Sequence, residues 1–222
     1  MAEFKLVIFD CDGVLVDSER IGNQIFSDML NALGLPSTLE DMFEHFVGHS
    51  MSYCMERVAE RLGALPPADF VDVYRARVAV AFASELHAVV GIEAALDQIV
   101  VPCCVASNGD HDKMRTTLGI TRMLSRFEGK LFSATEVARG KPWPDVYLHA
   151  ARSCGVRPDK CVVVEDSPIG VAAAVAAGMT VLGYAALTPA RRLLSAGAHH
   201  VFIDMAELPS LVNAGAAIRR SN

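Results

Sequence analysis

The chain is short of positive charge, holds a single tryptophan and carries no patterned cysteines. Its 20 Lys and Arg face 26 Asp and Glu, a formal net charge of −6. A nucleic-acid backbone requires a basic face, so no nucleic-acid partner is expected. No Lys/Arg-rich run or basic amphipathic helix is present either, which argues against binding to a membrane surface. The 6 cysteines (Cys11, Cys54, Cys103, Cys104, Cys154 and Cys161) form no CxxC pair and no Cys/His set with zinc spacing. Cys103, Cys104 and Cys161 lie inside apolar runs, where a thiol acts as a small hydrophobe. Reduced, buried thiols fit a cytoplasmic protein. Internal repeats and low-complexity tracts are absent. Residues Met1 to Lys5 do not read as a signal peptide, because the apolar stretch is short and runs straight into Asp10. One long stretch, Ser167 to Ala190, carries no charge, but Gly178 and Gly183 interrupt it and Asp166 and Arg191 bracket it. A buried helix followed by a buried strand is expected there rather than a membrane span.

Apolar residues make up 52% of the 222 positions and charged residues 21%, enough for one large domain or a domain with an insertion. The most informative segment is FKLVIFDCDGVLVDSE, Phe4 to Glu19. An apolar run ends in Asp10 and Asp12, with Gly13 next. In a strand, positions i and i+2 share a side, so both carboxylates can face one small volume at the strand's carboxyl end. Two acids held together need a cation, a proton or a phosphate-handling task to tolerate one another. An Asp-Gly turn closing a strand is the plainer alternative.

The rest of the chain alternates. Strands are predicted at Leu6 to Phe9, Val100 to Ala106, Cys161 to Val164, Thr180 to Leu182 and His200 to Ile203. Helices are predicted at Ile92 to Ile99, Asp112 to Leu118, Pro144 to Ser153, Ile169 to Ala177 and Ala190 to Ala196. Apolar strands without polar alternation are covered on both faces, and strand-helix repetition is the doubly wound, Rossmann-like α/β pattern with a parallel sheet. Gly119, Gly155, Gly178 and Gly197 are expected to end the last four helices. Between Ser18 and Ala88 the alternation stops. Four helices are expected there, at Glu19 to Leu33, Leu39 to Phe46, Met51 to Leu62 and Ala68 to Ser84. The expected division is an α/β core, residues 1–16 and 88–222, and an inserted four-helix cap, residues 17–87. The chain would cross between them near Val14 to Ser18 and Leu86 to Gly91.

In open α/β sheets, ligands bind outside the carboxyl ends of the strands. Ser107-Asn108-Gly109 follows the second strand, and a hydroxyl, an amide and a glycine N–H there suit phosphate oxygens. An ordinary turn with a helix cap is the competing reading. Lys141, before Pro142, can neutralise a phosphoryl group or simply be a solvated charge. Glu165 and Asp166, before Ser167, offer hard oxygen ligands for Mg²⁺, or Asp166 and Ser167 cap the next helix.

Taken in order, these segments resemble the four motifs of the haloacid-dehalogenase superfamily: DxD, S/T, K and E/D-D. The resemblance spans essentially the whole chain, and the helical block is similar to the family's inserted cap. It implies that Asp10 attacks phosphorus and becomes an aspartyl phosphate. Asp12 would protonate the leaving alkoxide and then deprotonate water. It implies Mg²⁺ at Asp10, the Asp12 backbone carbonyl and Asp166, with Glu165 beside it or through water. Lys141 would offset charge, and Ser107, Asn108 and Gly109 would receive the phosphoryl oxygens. Dehalogenases and phosphonatases of the superfamily lack the second acid, so Asp12 points to phosphate-ester cleavage of a small phosphorylated metabolite. Members with mutase activity carry His where this chain has Gly22, which favours hydrolysis over the phosphosugar-mutase alternative. A ligand-binding protein without catalysis would not need Asp12. The segment Val73 to Asn108 also resembles bacterial 6-phosphogluconate phosphatases, which makes a sugar or sugar-acid phosphate the expected substrate.

Specificity is expected from the cap: the loop Gly48-His49-Ser50 and the arginines Arg57, Arg75 and Arg77, with Arg75 the leading candidate. Arg suits a substrate carboxylate, though pairing with Glu56, Glu60 or Asp72 is the plainer role for any one of them. His45, His87, His149, His199 and His200 lack ligand spacing. Trp143 is expected to pack near the site.

Overall fold

The computed structural model describes residues 4–47 and 51–214. Six strands form one parallel sheet: β1 (Leu6–Phe9), β2 (Cys103–Ser107), β3 (Leu131–Ser133), β4 (Cys161–Glu165), β5 (Thr180–Tyr184) and β6 (His200–Phe202). Their spatial order is β3-β2-β1-β4-β5-β6, so β1 is central. This is the doubly wound, Rossmann-like arrangement predicted from the sequence. The period of two along each strand splits the core cleanly. Val7, Phe9, Val105, Val162, Val164 and Leu182 pack on one face. Leu6, Ile8, Cys104, Ala106, Cys161, Val163 and Val181 pack on the other. Both faces are dry because helices cover both. On the first lie α5 (Ile92–Gln98), α6 (His111–Ile120) and α10 (Leu208–Ala214), contributing Ile92, Met114, Leu118 and Leu208. On the second lie α7 (Asp145–Ser153), α8 (Pro168–Ala176) and α9 (Ala190–Ser195), contributing Val146, Tyr147, Val171 and Leu193.

Several boundaries move from those expected. β2 begins at Cys103, because Pro102 has no N–H to donate and Val100 and Val101 precede the ladder. Cys103 is accordingly half-buried, while Cys104 and Cys161 are buried, and all 6 thiols are free. β3 and α10 were not anticipated. β3 has 3 residues, too few for a periodicity signal. Gly155, Gly178 and Gly197 have positive φ and sit just past their helices, as predicted. Gly119 does not: it lies inside α6, and the left-handed residue after that helix is Arg122, φ 59°. The uncharged stretch is α8 followed by β5, and among the described residues no helix is long and apolar enough to cross a membrane.

The block between β1 and α5 is helical, with α1 (Ser18–Ala32), α2 (Leu39–His45), α3 (Met51–Leu62) and α4 (Phe70–Glu85). Thr38 and Asp41 close a capping box at the start of α2. The block has its own apolar cluster around Phe26, whose ring meets those of Phe46, Phe70 and Tyr74 at centroid distances of 5.6, 5.7 and 5.4 Å. The two chain crossings into it are paired with each other. Asp17 N–H donates to the His87 carbonyl at 3.0 Å, and Val89 N–H to the Leu15 carbonyl at 2.9 Å. Farther out, the Arg192 guanidinium of α9 donates to the Phe43 carbonyl of α2.

Candidate active site

Register decides which side chains meet. Phe9 stands opposite Val105 of β2 and Val164 of β4, so Asp10 emerges level with Glu165 and with the end of β2. Asp10, Glu165 and Asp166 are all buried, and one oxygen from each lies within 4.8 Å of the others. Lys141 reaches in from the loop before α7. Its Nζ donates at 2.7 Å to Asp10 Oδ1 and at 2.7 Å to Glu165 Oε1. Its side chain is 4% exposed, so it is no solvated loop lysine. The ammonium also lies 4.8 Å from the centre of the Tyr147 ring.

Glu165 is fully engaged. Oε1 takes hydrogen bonds from Lys141 and, at 2.8 Å, from the Tyr147 hydroxyl. Oε2 takes them from the Ser167 N–H at 3.0 Å and the Ser167 hydroxyl at 2.9 Å. Ser167 Oγ in turn caps α8 by accepting from Gly170 N–H. The carboxylate packs so closely on Gly170 that a Cβ there would fall 1.6 Å from Oε1. Asp166 differs: among the described residues no hydrogen bond reaches its carboxylate. It lies against Gly13, φ +77°, where a Cβ would fall 2.0 Å from Oδ2. A side chain at residue 13 is therefore barred twice, by conformation and by space.

The electrostatics follow from three buried acids facing one ammonium. Burial, only partly opposed by Lys141 and reinforced by Glu165 and Asp12, lifts Asp10 to about 7. Burial and the neighbouring Glu165 and Asp10 push Asp166 well above the carboxylate range. Burial alone would lower the Lys141 pKa, but Asp10, Glu165 and Tyr147 hold it well above its usual value. A buried, undonated carboxylate beside two others, all hard oxygen donors, fits a divalent cation.

Asp12 has separate partners. Ser18 Oγ donates to Oδ1 at 2.5 Å and Lys113 Nζ to Oδ2 at 2.8 Å. Burial raises its pKa, but the Lys113 charge and the two hydrogen bonds outweigh it and leave Asp12 below the ordinary value. Lys113 was missed in the sequence. It lies one turn into α6, on the helix that follows Ser107-Asn108-Gly109, and that placement was the available signal. Its stem runs over Gly109, where a Cβ would meet Lys113 Cδ at 3.3 Å. Tyr147 and Glu19 were also missed; Tyr147 sits in an ordinary helical pattern, and Glu19 was read only as the end of the first motif.

The Ser107-Asn108-Gly109 turn does not cap α6. Asp110 does, accepting from Lys113 N–H at 2.7 Å. Ser107 Oγ accepts from Gly109 N–H at 3.0 Å, leaving its own proton to donate. Asn108 accepts from Lys141 N–H at 2.8 Å and donates to the Lys141 carbonyl at 3.2 Å. A cavity of about 540 Å³ opens over these groups, lined by Asp10, Asp12, Ser107, Asn108, Gly109, Lys113, Lys141, Glu165 and Asp166 from the sheet side. Glu19, Val47, Met51 and Arg75 line it from the helical block. Arg75 thus reaches the cavity, with a 3.9 Å contact to Asp72. Arg57 is drawn instead to Glu60 and the Tyr53 ring, and Arg77 is not among the lining residues. Gly48, His49 and Ser50 lie outside the described residues. Trp143 is not packed into the site: it is 51% exposed, with the Arg139 guanidinium 4.2 Å from its ring centre.

This constellation matches a known family. The model for haloacid dehalogenase-like hydrolases matches residues 4–178. The chain is a haloacid dehalogenase-like hydrolase. The hydrolase is 36% identical over 212 residues to the 6-phosphogluconate phosphatase of Escherichia coli K12, covering 95% of this chain and 96% of that protein. In structure it is similar to a conserved haloacid dehalogenase-like protein from Agrobacterium tumefaciens, with TM-score 0.91, 35% identity, and coverage of 96% of this chain and 99% of that one. It is also similar to a HAD family hydrolase from Deinococcus radiodurans R1 with bound phosphate and sodium, with TM-score 0.83, 32% identity and 97% of each chain covered.

Proposed function

We propose that this hydrolase removes phosphate from a small sugar or sugar-acid phosphate in a Mg²⁺-dependent reaction, through an aspartyl-phosphate intermediate on Asp10. That it is a phosphoric monoester hydrolase follows from its family and from the phosphatase among its relatives. The observation that carries the finer reading is the Asp10 carboxylate at the end of β1, with one oxygen held by Lys141 at 2.7 Å and a second acid two residues on. Lys141 takes Oδ1, which leaves the other oxygen of Asp10 to attack phosphorus in line. The Ser107 hydroxyl, whose proton is free, receives a phosphoryl oxygen; the Gly109 N–H holds that hydroxyl in place, and Asn108 holds the Lys141 loop beside it. Asp10, Asp166 and the Asp12 carbonyl would hold Mg²⁺, with Glu165 behind Lys141 and at most water-linked. Bound there, Mg²⁺ would offset the repulsion between a phosphate dianion and a carboxylate nucleophile.

Asp12 serves as acid and then base. Its pairing with Lys113 and Ser18 is the resting arrangement and suits the base, which must be ionised. To act as acid it leaves Lys113 and takes up a proton before the ester bond breaks. Residues 17–87 act as a cap over the core, residues 1–16 and 88–222, and the paired crossings at Leu15–Asp17 and His87–Val89 are the hinge. Arg75, entering the cavity from the cap, is placed to take a substrate carboxylate, and 6-phosphogluconate supplies one. Hydrolysis is preferred over mutase chemistry because Gly22 offers no imidazole on the first cap helix. The location is read as cytoplasmic, with no nucleic-acid or membrane partner.

A phosphate-release screen over phosphorylated metabolites with Mg²⁺ tests the reading. Release should favour sugar or sugar-acid phosphates over glycolate phosphate and nucleotides, and Asp10→Asn should abolish it. Near wild-type turnover by Asp10→Asn would defeat the mechanism, and equal rates across the panel would defeat the substrate class.

A further inference from the structure

A second, smaller cavity of about 160 Å³ lies inside the helical block. It shares Glu19, Val47 and Met51 with the wall of the 540 Å³ cavity, so the two adjoin across these side chains. Its remaining lining is Asn23, Phe26, Phe46, Cys54 and Tyr74. The mechanism does not use this space, and of the family motifs only Glu19, at the end of the first, reaches it.

Its polar groups define a ligand chemistry. Asn23 Nδ2 donates to the Glu19 carbonyl at 2.7 Å and to Glu19 Oε2 at 2.9 Å. That leaves Asn23 Oδ1 and Glu19 Oε1 as acceptors without a donor among the described residues. The Tyr74 hydroxyl makes no hydrogen bond among the described residues, and its ring is fixed edge-on against Phe26 at 5.4 Å. Gly22 leaves this hydroxyl room: a Cβ there would lie 3.1 Å from it, a tight contact that would press it aside. Two free acceptors and one hydroxyl match O–H donors on a substrate. Among the described residues no cation lines the pocket, and the one charged group is Glu19. A second phosphate or a carboxylate would meet like charge, whereas Phe26 and Phe46 present apolar surface to C–H faces. At about 30 Å³ per water the pocket has room for a few hydroxylated carbons.

We propose that Glu19, Asn23 and Tyr74 form a polyol subsite that binds neutral, hydroxylated carbons of the substrate distal to its phosphate. The subsite rests on the phosphatase reading above and deepens it. An anionic end, where a substrate has one, stays in the larger cavity with Arg75 and Lys113. Selection at the subsite is for chain hydroxyls.

The test compares kcat/KM for sorbitol 6-phosphate and hexyl phosphate, two primary six-carbon alkyl phosphates that differ only in the distal hydroxyls. The wild-type protein with Mg²⁺ should favour sorbitol 6-phosphate, and Tyr74→Phe should lower the ratio of the two values about tenfold, the usual effect of one lost hydrogen bond to substrate. Phe retains the ring contact with Phe26, so the fold is preserved. Gly22→Ala, which crowds the Tyr74 hydroxyl, should lower the ratio in the same direction. A wild-type ratio near one, or a ratio unchanged in Tyr74→Phe while both esters are cleaved, overturns the subsite alone. Absence of phosphate release from both esters and from the whole metabolite screen overturns the phosphatase reading beneath it.

Discussion

The Asn108 side chain hydrogen-bonds to both backbone groups of Lys141, accepting from its N–H at 2.8 Å and donating to its carbonyl at 3.2 Å. The residue that delivers the buried ammonium is thus anchored by an amide 33 positions earlier, at the end of a neighbouring strand. Gly140 accommodates the arrangement, since a Cβ there would fall 2.7 Å from Asn108 Oδ1. Asn108→Ala should lower kcat by about a hundredfold, the scale expected when a catalytic group is misplaced by about 1 Å. Asn108→Asp retains the acceptor and loses the donor, so it should recover part of that loss. Steady-state kinetics on an aryl phosphate checks this, and a change in KM alone would show that Asn108 only binds substrate.

Lys141 bridges two carboxylates in a nearly dry site. Lys141→Met leaves Asp10 and Glu165 facing each other without their cation, a change that typically costs about 3–5 kcal/mol. Both activity and stability should fall, and chemical denaturation measures the second. Tyr147→Phe keeps the ion pairs and removes one hydrogen bond to Glu165, so its cost should be about 1 kcal/mol. Equal destabilisation by the two variants would contradict the central place given to Lys141.

Gly13→Ala tests the wall behind Asp166. The new Cβ would lie 2.0 Å from Asp166 Oδ2 on a backbone of φ +77°. The carboxylate must move, so the Mg²⁺ concentration giving half-maximal activity should rise at least tenfold, with a melting temperature lowered by several degrees. An unchanged Mg²⁺ requirement in a folded variant would remove Asp166 from the cation site.

The acid cluster also sets a pH dependence for the metal-free protein. Asp10 rises from 3.8 to about 7 on folding, so between those values the folded state binds more protons than the unfolded state. Stability must then fall as pH rises through that window, and Asp166, also raised, acts in the same direction. A divalent cation competes with those protons, so the gain in melting temperature from saturating Mg²⁺ should be larger at about pH 7.5 than at about pH 5.5. Thermal shift at the two pH values decides it; an equal gain at both would place the cation elsewhere.

Much of this was written in the residue order. Apolar runs without alternation announced strands covered on both faces, and every motif but Lys141 sat just past a predicted strand, where a parallel sheet collects its ligands. The helical block was legible from its lack of strand-like runs and from the turns that punctuate it. Chain order could not assign partners. Glu165 and Asp166 are neighbours with equivalent side chains, yet one is saturated by Lys141, Tyr147 and Ser167 and the other has no donor among the described residues. That difference arises because successive residues leave a strand end in different directions. Lys113 reaches Asp12 across 101 positions, a meeting set by the β1–β2 register. Tyr74 comes near Gly22 because α4 packs against α1. The sequence by itself determined the chemical groups available and the sheet edge on which they gather, because both follow from side-chain type and local periodicity. The tertiary structure alone decided which charges meet, which carboxylate is left open and which side chains of the helical block line the cavity, because those depend on long-range packing.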